Sequence, residues 1–133
     1  MPGKRLKNIR TDTEAGNQEM LFAWSFYQLQ RYPELELLYH IPNGDKRDAK
    51  TGIALKRQGV KAGVPDLHLP VARGEYNSLY IELKVGKNKT TKAQDKWIEK
   101  LRQQGNKVII CYTWQQAAEE IIDYLDSDNR PFI

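Results

Sequence analysis

Residues 78–85 read Ser-Leu-Tyr-Ile-Glu-Leu-Lys-Val. Apolar and polar side chains alternate without a break, the pattern of a strand with one apolar face. Leu79, Ile81, Leu83 and Val85 fall on one side, and Ser78, Tyr80, Glu82 and Lys84 on the other. Upstream, Asp66-Leu67-His68-Leu69-Pro70-Val71 alternates in the same way, with Asp66 and His68 opposite the apolar set. If the two strands pair as a hairpin through Arg73-Gly74-Glu75-Tyr76-Asn77, their polar faces coincide and Asp66 lies beside Glu82. Lys84 is then a neighbour of Glu82 on that face, with Cα atoms about 6.5–7 Å apart at normal strand rise.

Two carboxylates about 4 Å apart repel by roughly 4 kcal/mol at an effective dielectric of 20. A divalent cation is the natural partner, and oxygen ligands of this kind suit Mg²⁺ or Mn²⁺. A lysine two residues on can orient a water or help to deprotonate it. Asp66, Glu82 and Lys84 with a metal are the equipment for hydrolysing a phosphodiester. Glu-x-Lys by itself also describes a solvated ion pair on an ordinary strand, so the argument rests on what accompanies it.

The rest of the chain supplies a frame. Residues 1–13 are basic and polar and read as a mobile arm. Residues 14–31 read as a helix whose stripe is Phe22, Phe26 and Leu29, widened by Leu21 and Trp24. Glu19 falls on or beside that stripe, either as an acid directed into the site or as a rim glutamate favoured by the helix dipole. Leu35–His40 reads as a strand. Residues 42–63 read mainly as loop, with a helical turn near Ile53–Arg57, and carry Lys46, Arg47, Lys50, Lys56, Arg57 and Lys61. After the two site strands, a helix is expected over 91–104, a strand over 107–112, and a last helix capped by Thr113. Thr91-Lys92-Ala93-Gln94 fits a capping box, which competes with an active-site role for Gln94. A polar tail over 127–133 is expected to fray. The order helix, three strands, helix, strand, helix gives one α/β domain of 133 residues, with a mixed sheet covered by helices.

Charge points to the partner. The chain is +4 overall, but Lys84 to Lys107 holds eight basic residues against Asp95 and Glu99. One basic face suits a polyanion, most simply nucleic acid, although a solvated lysine-rich helix gives the same composition. Lys46, Arg47, Lys50, Lys56, Arg57, Lys87, Lys89 and Lys92 are the candidate phosphate contacts. No apolar run approaches 18 residues, and the N-terminus does not read as a signal peptide. Cys111 stands alone, so no internal disulfide or cysteine-cluster zinc site is possible, and a reducing cytoplasm fits. There is no Gly-rich phosphate loop, hence no expected nucleotide cofactor. His40 and His68 are read as structural before they are read as ligands. The three Trp and seven Tyr exceed what so small a core obviously needs, and interfaces favour them.

Glu19 in a first helix, Gly63-Val64-Pro65-Asp66-Leu67, Ile81-Glu82-Leu83-Lys84 and Gln94 opening a helix together resemble the PD-(D/E)xK nuclease superfamily. Within it, the closest likeness is to small stand-alone members of the VRR-NUC (virus-type replication-repair nuclease) family. The resemblance implies a restriction-endonuclease-like core and metal-dependent cleavage of DNA, often branched DNA such as four-way junctions, with flap- or end-directed cleavage or non-catalytic DNA binding as the alternatives. It implies Asp66, Glu82 and the backbone carbonyl of Leu83 as ligands of Mg²⁺ or Mn²⁺, and Lys84 as the residue that positions water. Glu19 would join through a second metal or a water, and Gln94 would be an accessory site residue. It further implies a homodimer in a bacterial or phage-infected cell.

Overall fold

The computed structural model describes residues 8–42 and 49–128. Four strands, β1 (Tyr39–His40), β2 (Leu67–Leu69), β3 (Leu79–Leu83) and β4 (Lys107–Cys111), form one sheet in the order β1-β2-β3-β4. The first three are antiparallel, and β4 runs parallel to β3. Four helices complete the described residues: α1 (Glu14–Tyr27), α2 (Ala49–Arg57), α3 (Lys92–Gln103) and α4 (Trp114–Asp126). Parallel strands need a crossover, and α3 is the one between β3 and β4.

The expected hairpin forms. Leu67 pairs with Ile81 and Leu69 with Leu79, and Arg73 bridges to Tyr76 in the connection. Leu67, Leu69, Leu79, Ile81, Leu83 and Cys111 enter the core under α1 and α4. Alternation along β3 therefore turns Tyr80 and Glu82 to the opposite face, where Gln94 and Ile98 of α3 are buried. Glu82 and Lys84 are buried with them, at 1% and 7% exposure. The polar face of the sheet is thus an interior surface at its β3 end.

Three expectations need correction. Helix α1 ends at Tyr27, and its buried line runs through Asn17, Leu21 and Ser25, while Phe26 is 43% exposed. The polar Asn17 belongs in that line because its amide donates to the carbonyls of Thr11 and Thr13 and its oxygen accepts from Trp114 N. Second, Leu35–His40 is not one strand. Pro33–Leu37 forms a 3₁₀ turn, for which proline at the first position is suited, and only Tyr39 and His40 pair with β2. Third, the stretch from 42 to 63 contains a full helix, α2, whose residues from 50 to 57 stay exposed or half-exposed. A helix without a buried face leaves little apolar periodicity to read.

Both ends make local contacts where they are described. Arg10 pairs with Asp12, and the Thr13 hydroxyl accepts from Gly16 N, capping α1. A Cβ on Gly16 would fall 1.5 Å from the Arg10 carbonyl oxygen, so only glycine lets this segment fold over the helix start. At the other end, Gly74 N donates to the Asp128 carbonyl at 2.7 Å, which ties the segment after α4 to the hairpin connection. Residues 1–7 of the arm expected over 1–13, and 129–133 of the tail expected over 127–133, lie outside the described residues. Among the described residues, no helix is long and apolar enough to cross a membrane.

Candidate active site

One register step beyond Leu67 and Ile81, Asp66 stands opposite Glu82. β2 has ended there, so the backbone N–H of Leu83 has no strand partner on that side. The Asp66 carboxylate accepts it instead, at 2.8 Å. The next residue faces the other way, and Lys84 N donates to the Cys111 carbonyl of β4 at 2.8 Å. Asp66 is held from its other side by its own carbonyl, which accepts from Ile41 N at 2.7 Å and lies 2.9 Å from His40 Nδ1.

Helix α3 fixes Glu82. The Thr91 hydroxyl caps the helix by accepting from Gln94 N, and Gln94 Oε1 accepts from Thr91 N at 2.9 Å. Thr91 N–H can only donate, so the amide oxygen must face it and the amide nitrogen must face the sheet. Gln94 Nε2 then donates to Glu82 Oε1 at 3.2 Å. The capping and active-site roles of Gln94 do not compete: one orients the amide for the other.

The approach to Asp66 depends on Gly63. Its φ is +92°, and a Cβ there would lie 2.7 Å from the Ala93 carbonyl oxygen. Glycine is required both by the backbone conformation and by the contact with α3. Gly63-Val64-Pro65 thereby delivers Asp66 beneath the first turn of the helix that carries Gln94.

The electrostatics are unfavourable for two ionised acids. Burial and then the charge of Asp66 push the Glu82 carboxyl up, to about 9, with Lys84 opposing and Glu14 adding to the rise. Glu82 Oε2 is buried and, among the described residues, has no hydrogen-bond partner. An orphaned carboxylate oxygen in a low-dielectric site costs free energy that a cation would recover. Among the described residues no cluster of three or more His, Cys, Asp or Glu side chains is assembled. The donor set is therefore two carboxylates, which fits a hard cation that keeps water or phosphate oxygens as its remaining ligands.

The sequence left Glu19 as either a site acid or a rim glutamate, and the structure places it on the exposed side of α1. It stands five residues from Glu14, about 140° round the helix. Glu14, half-buried in the first turn directly after the Thr13 cap, is the α1 acid whose charge acts on Glu82. Its position at a capped helix start was the available signal, but the aromatic stripe drew the reading to Glu19.

His68 does not face the acids as a free ligand. His68 stacks on Tyr80 with ring centroids 4.1 Å apart. Its Nδ1 meets the Tyr39 hydroxyl at 2.8 Å and its Nε2 the Ser78 hydroxyl at 3.0 Å. Ser78 donates onward to Asn106 at 2.7 Å, so it accepts from His68 Nε2–H. Burial pushes the His68 pKa down, consistent with a neutral ring bonded at both nitrogens. Cys111 is buried, its thiol pushed up to about 12 by burial and then by Glu120. Of the candidate phosphate contacts, Lys50, Lys56 and Arg57 are exposed on α2, Lys87 and Lys89 between β3 and α3, and Lys92 at the start of α3; Lys46 and Arg47 lie outside the described residues.

The fold has a counterpart among known proteins. A solved structure described as "VRR_NUC domain protein" is 30% identical to this chain, covers 88% of it and 91% of its own length, and superposes with a TM-score of 0.74. No curated protein matches the chain. The family model described as "VRR-NUC domain" matches residues 8–114, which takes in every site residue named above. The chain belongs to the VRR-NUC domain family, and with it to the nucleases of the PD-(D/E)xK superfamily.

Proposed function

We propose that this protein is a Mg²⁺- or Mn²⁺-dependent DNA endonuclease that cuts branched DNA, such as four-way junctions, as a two-fold homodimer. The observation that carries the reading is the buried, unpartnered Oε2 of Glu82 beside Asp66, with Lys84 two residues on. Asp66 and Glu82 would hold the cation. The N–H and C=O of one strand residue face the same neighbour, so the Leu83 carbonyl, whose N–H meets Asp66, suits a third ligand. A divalent cation held there would supply positive charge for the phosphate and a lowered pKa for water. Lys84 orients the attacking water and takes part in removing its proton. Gln94 holds Glu82 in one rotamer. Glu14 takes the place that the family resemblance gave to an acid of the first helix, acting through a second cation or a water.

Substrate and assembly follow from symmetry. One chain offers one Asp/Glu-x-Lys site, whereas a four-way junction needs two related nicks. A closed two-fold dimer supplies both. Phe26 and Tyr27 are exposed and pack edge to face, as interface aromatics do. Lys50, Lys56, Arg57, Lys87, Lys89 and Lys92 would then contact backbone phosphates, together with Lys46 and Arg47.

The test is a panel of labelled linear, flap, fork and four-way DNA with Mg²⁺, Mn²⁺ or chelator, alongside Asp66→Ala, Glu82→Ala and Lys84→Ala. Cation-dependent cutting of the junction at paired positions is expected, lost in all three variants, with light scattering giving about twice the 15.5 kDa chain mass. Full cleavage in chelator, or by Glu82→Ala, would remove the mechanism. A monomer that cuts only flaps or free ends would leave a nuclease with a different substrate.

A further inference from the structure

Helix α3 divides its charges by side. Asp95 and Glu99 line a hollow on its β4 flank, with Ile98, Arg102, Gln103 and Ile110. Lys96 and Lys100 line the other flank, in a groove of about 560 Å³ whose facing wall is Lys61 and Ala62. Its apolar lining comes from Ala62, Ala93, Trp97 and Leu101. Among the described residues none of these three lysines forms an ion pair. Lysines at 92, 96 and 100 follow one another at four-residue spacing, which opposes helix formation by repulsion. Three uncompensated cations around an aromatic floor call for an anionic occupant that also has flat apolar surface.

The Ala93 end of the groove abuts Gly63, three residues before Asp66. Its outer wall, Lys61-Ala62, leads through Gly63 to Asp66, and its inner wall is the helix whose first turn carries Gln94. From Lys92 to Lys100 the helix rises about 12 Å, enough for roughly two nucleotide steps of an extended strand. A duplex keeps its base faces stacked inside, whereas an unpaired strand presents phosphates and base faces together. Lysines flanking a tryptophan match the second.

We propose that the groove between α3 and the Lys61-Ala62 segment binds an unpaired DNA strand beside the catalytic centre, with Lys61, Lys96 and Lys100 on its phosphates and Trp97 against a base. The proposal rests on the nuclease reading and names the part of a branched substrate that this surface holds.

Fluorescence anisotropy with labelled oligodeoxythymidine, with a duplex of equal length as reference and chelator present, tests it directly. Replacing Lys61, Lys96 and Lys100 together by Gln should weaken single-strand binding about tenfold near physiological salt and reduce the salt slope by about 2. Replacing all three by Arg should retain binding, which separates charge from misfolding. Oligodeoxythymidine should quench tryptophan emission in the wild type but not in Trp97→Phe, since Trp24 and Trp114 pack against the core. An unchanged affinity and salt slope in the Gln variant would overturn the proposal. So would an equal loss for duplex and single strand, or quenching that persists in Trp97→Phe. Cleavage is scored separately: a wild type that binds through the groove but cuts nothing sinks the nuclease reading alone, and one that cuts while the Gln variant binds normally sinks the groove alone.

Discussion

Glu82→Gln isolates the electrostatic cost built into the site. The variant's amide has the size of the carboxyl and can still accept from Gln94 Nε2, but it carries no charge at any pH. In the cation-free protein, burial and then Asp66 raise the Glu82 pKa above its ordinary 4.5, to about 9. Between those values the folded state keeps a proton that the unfolded chain gives up. Stability must therefore fall as pH rises through the window, by up to about 1.4 kcal/mol per pH unit. At 1% exposure the carboxyl is not screened by solvent, so from pH 6 to pH 8 the loss reaches at most about 3 kcal/mol. For a chain of this length that is about 10 °C in Tm. Differential scanning calorimetry of both proteins in chelator, at pH 6, 7 and 8, gives the difference in Tm, in which other titrating groups cancel. The variant should gain on the wild type steadily as pH rises, and Mg²⁺ should close the gap by favouring the charged carboxylate of the wild type. A difference in Tm independent of pH would refute the claim that Glu82 is held protonated in the folded, cation-free state.

Glu14→Ala should lower cleavage by an order of magnitude or more and weaken cation binding in calorimetry, whereas Glu19→Ala should stay near wild type. Gln94→Ala removes the reciprocal cap of α3 and the orienting bond to Glu82; about 1 kcal/mol of stability should be lost, with a larger proportional loss of cleavage rate. Ile81→Ala opens a cavity between the sheet and α1 and α4 and should cost about 2–5 kcal/mol in denaturant unfolding, leaving the polar face of the strand unaltered.

The strands of the site were legible because their period was unbroken. Ser78 to Val85 alternates strictly, and the register it suggests puts Asp66 opposite Glu82, as found. The capping box was legible at Thr91–Gln94, but that its glutamine also serves Glu82 depends on how α3 is laid across the sheet. What was misread has physical reasons. Helix α1 packs Leu21, Phe22 and Trp24 on the core as the stripe suggests, but it also buries the polar Asn17 and Ser25 and exposes Phe26, which hydrophobicity does not signal. Helix α2 buries no face and left little periodic trace. Leu35 and Leu37 alternate like a strand, yet Pro33 begins a 3₁₀ turn.

The parallel pairing of β3 with β4 also dictates the order in which the site can come into being. The hairpin of β2 and β3 is local and can close within microseconds, setting Asp66 opposite Glu82 while both remain hydrated. Parallel pairing of β3 with β4 has to wait for the crossover, because it joins residues far apart in the chain. Only that step lays Gln94 over Glu82 and expels the water around it. A chain caught half folded therefore holds both acids in register without the buried setting that raises the Glu82 pKa. Proton uptake at Glu82 then accompanies docking of the crossover, and refolding in unbuffered indicator solution would register it after the hairpin has closed.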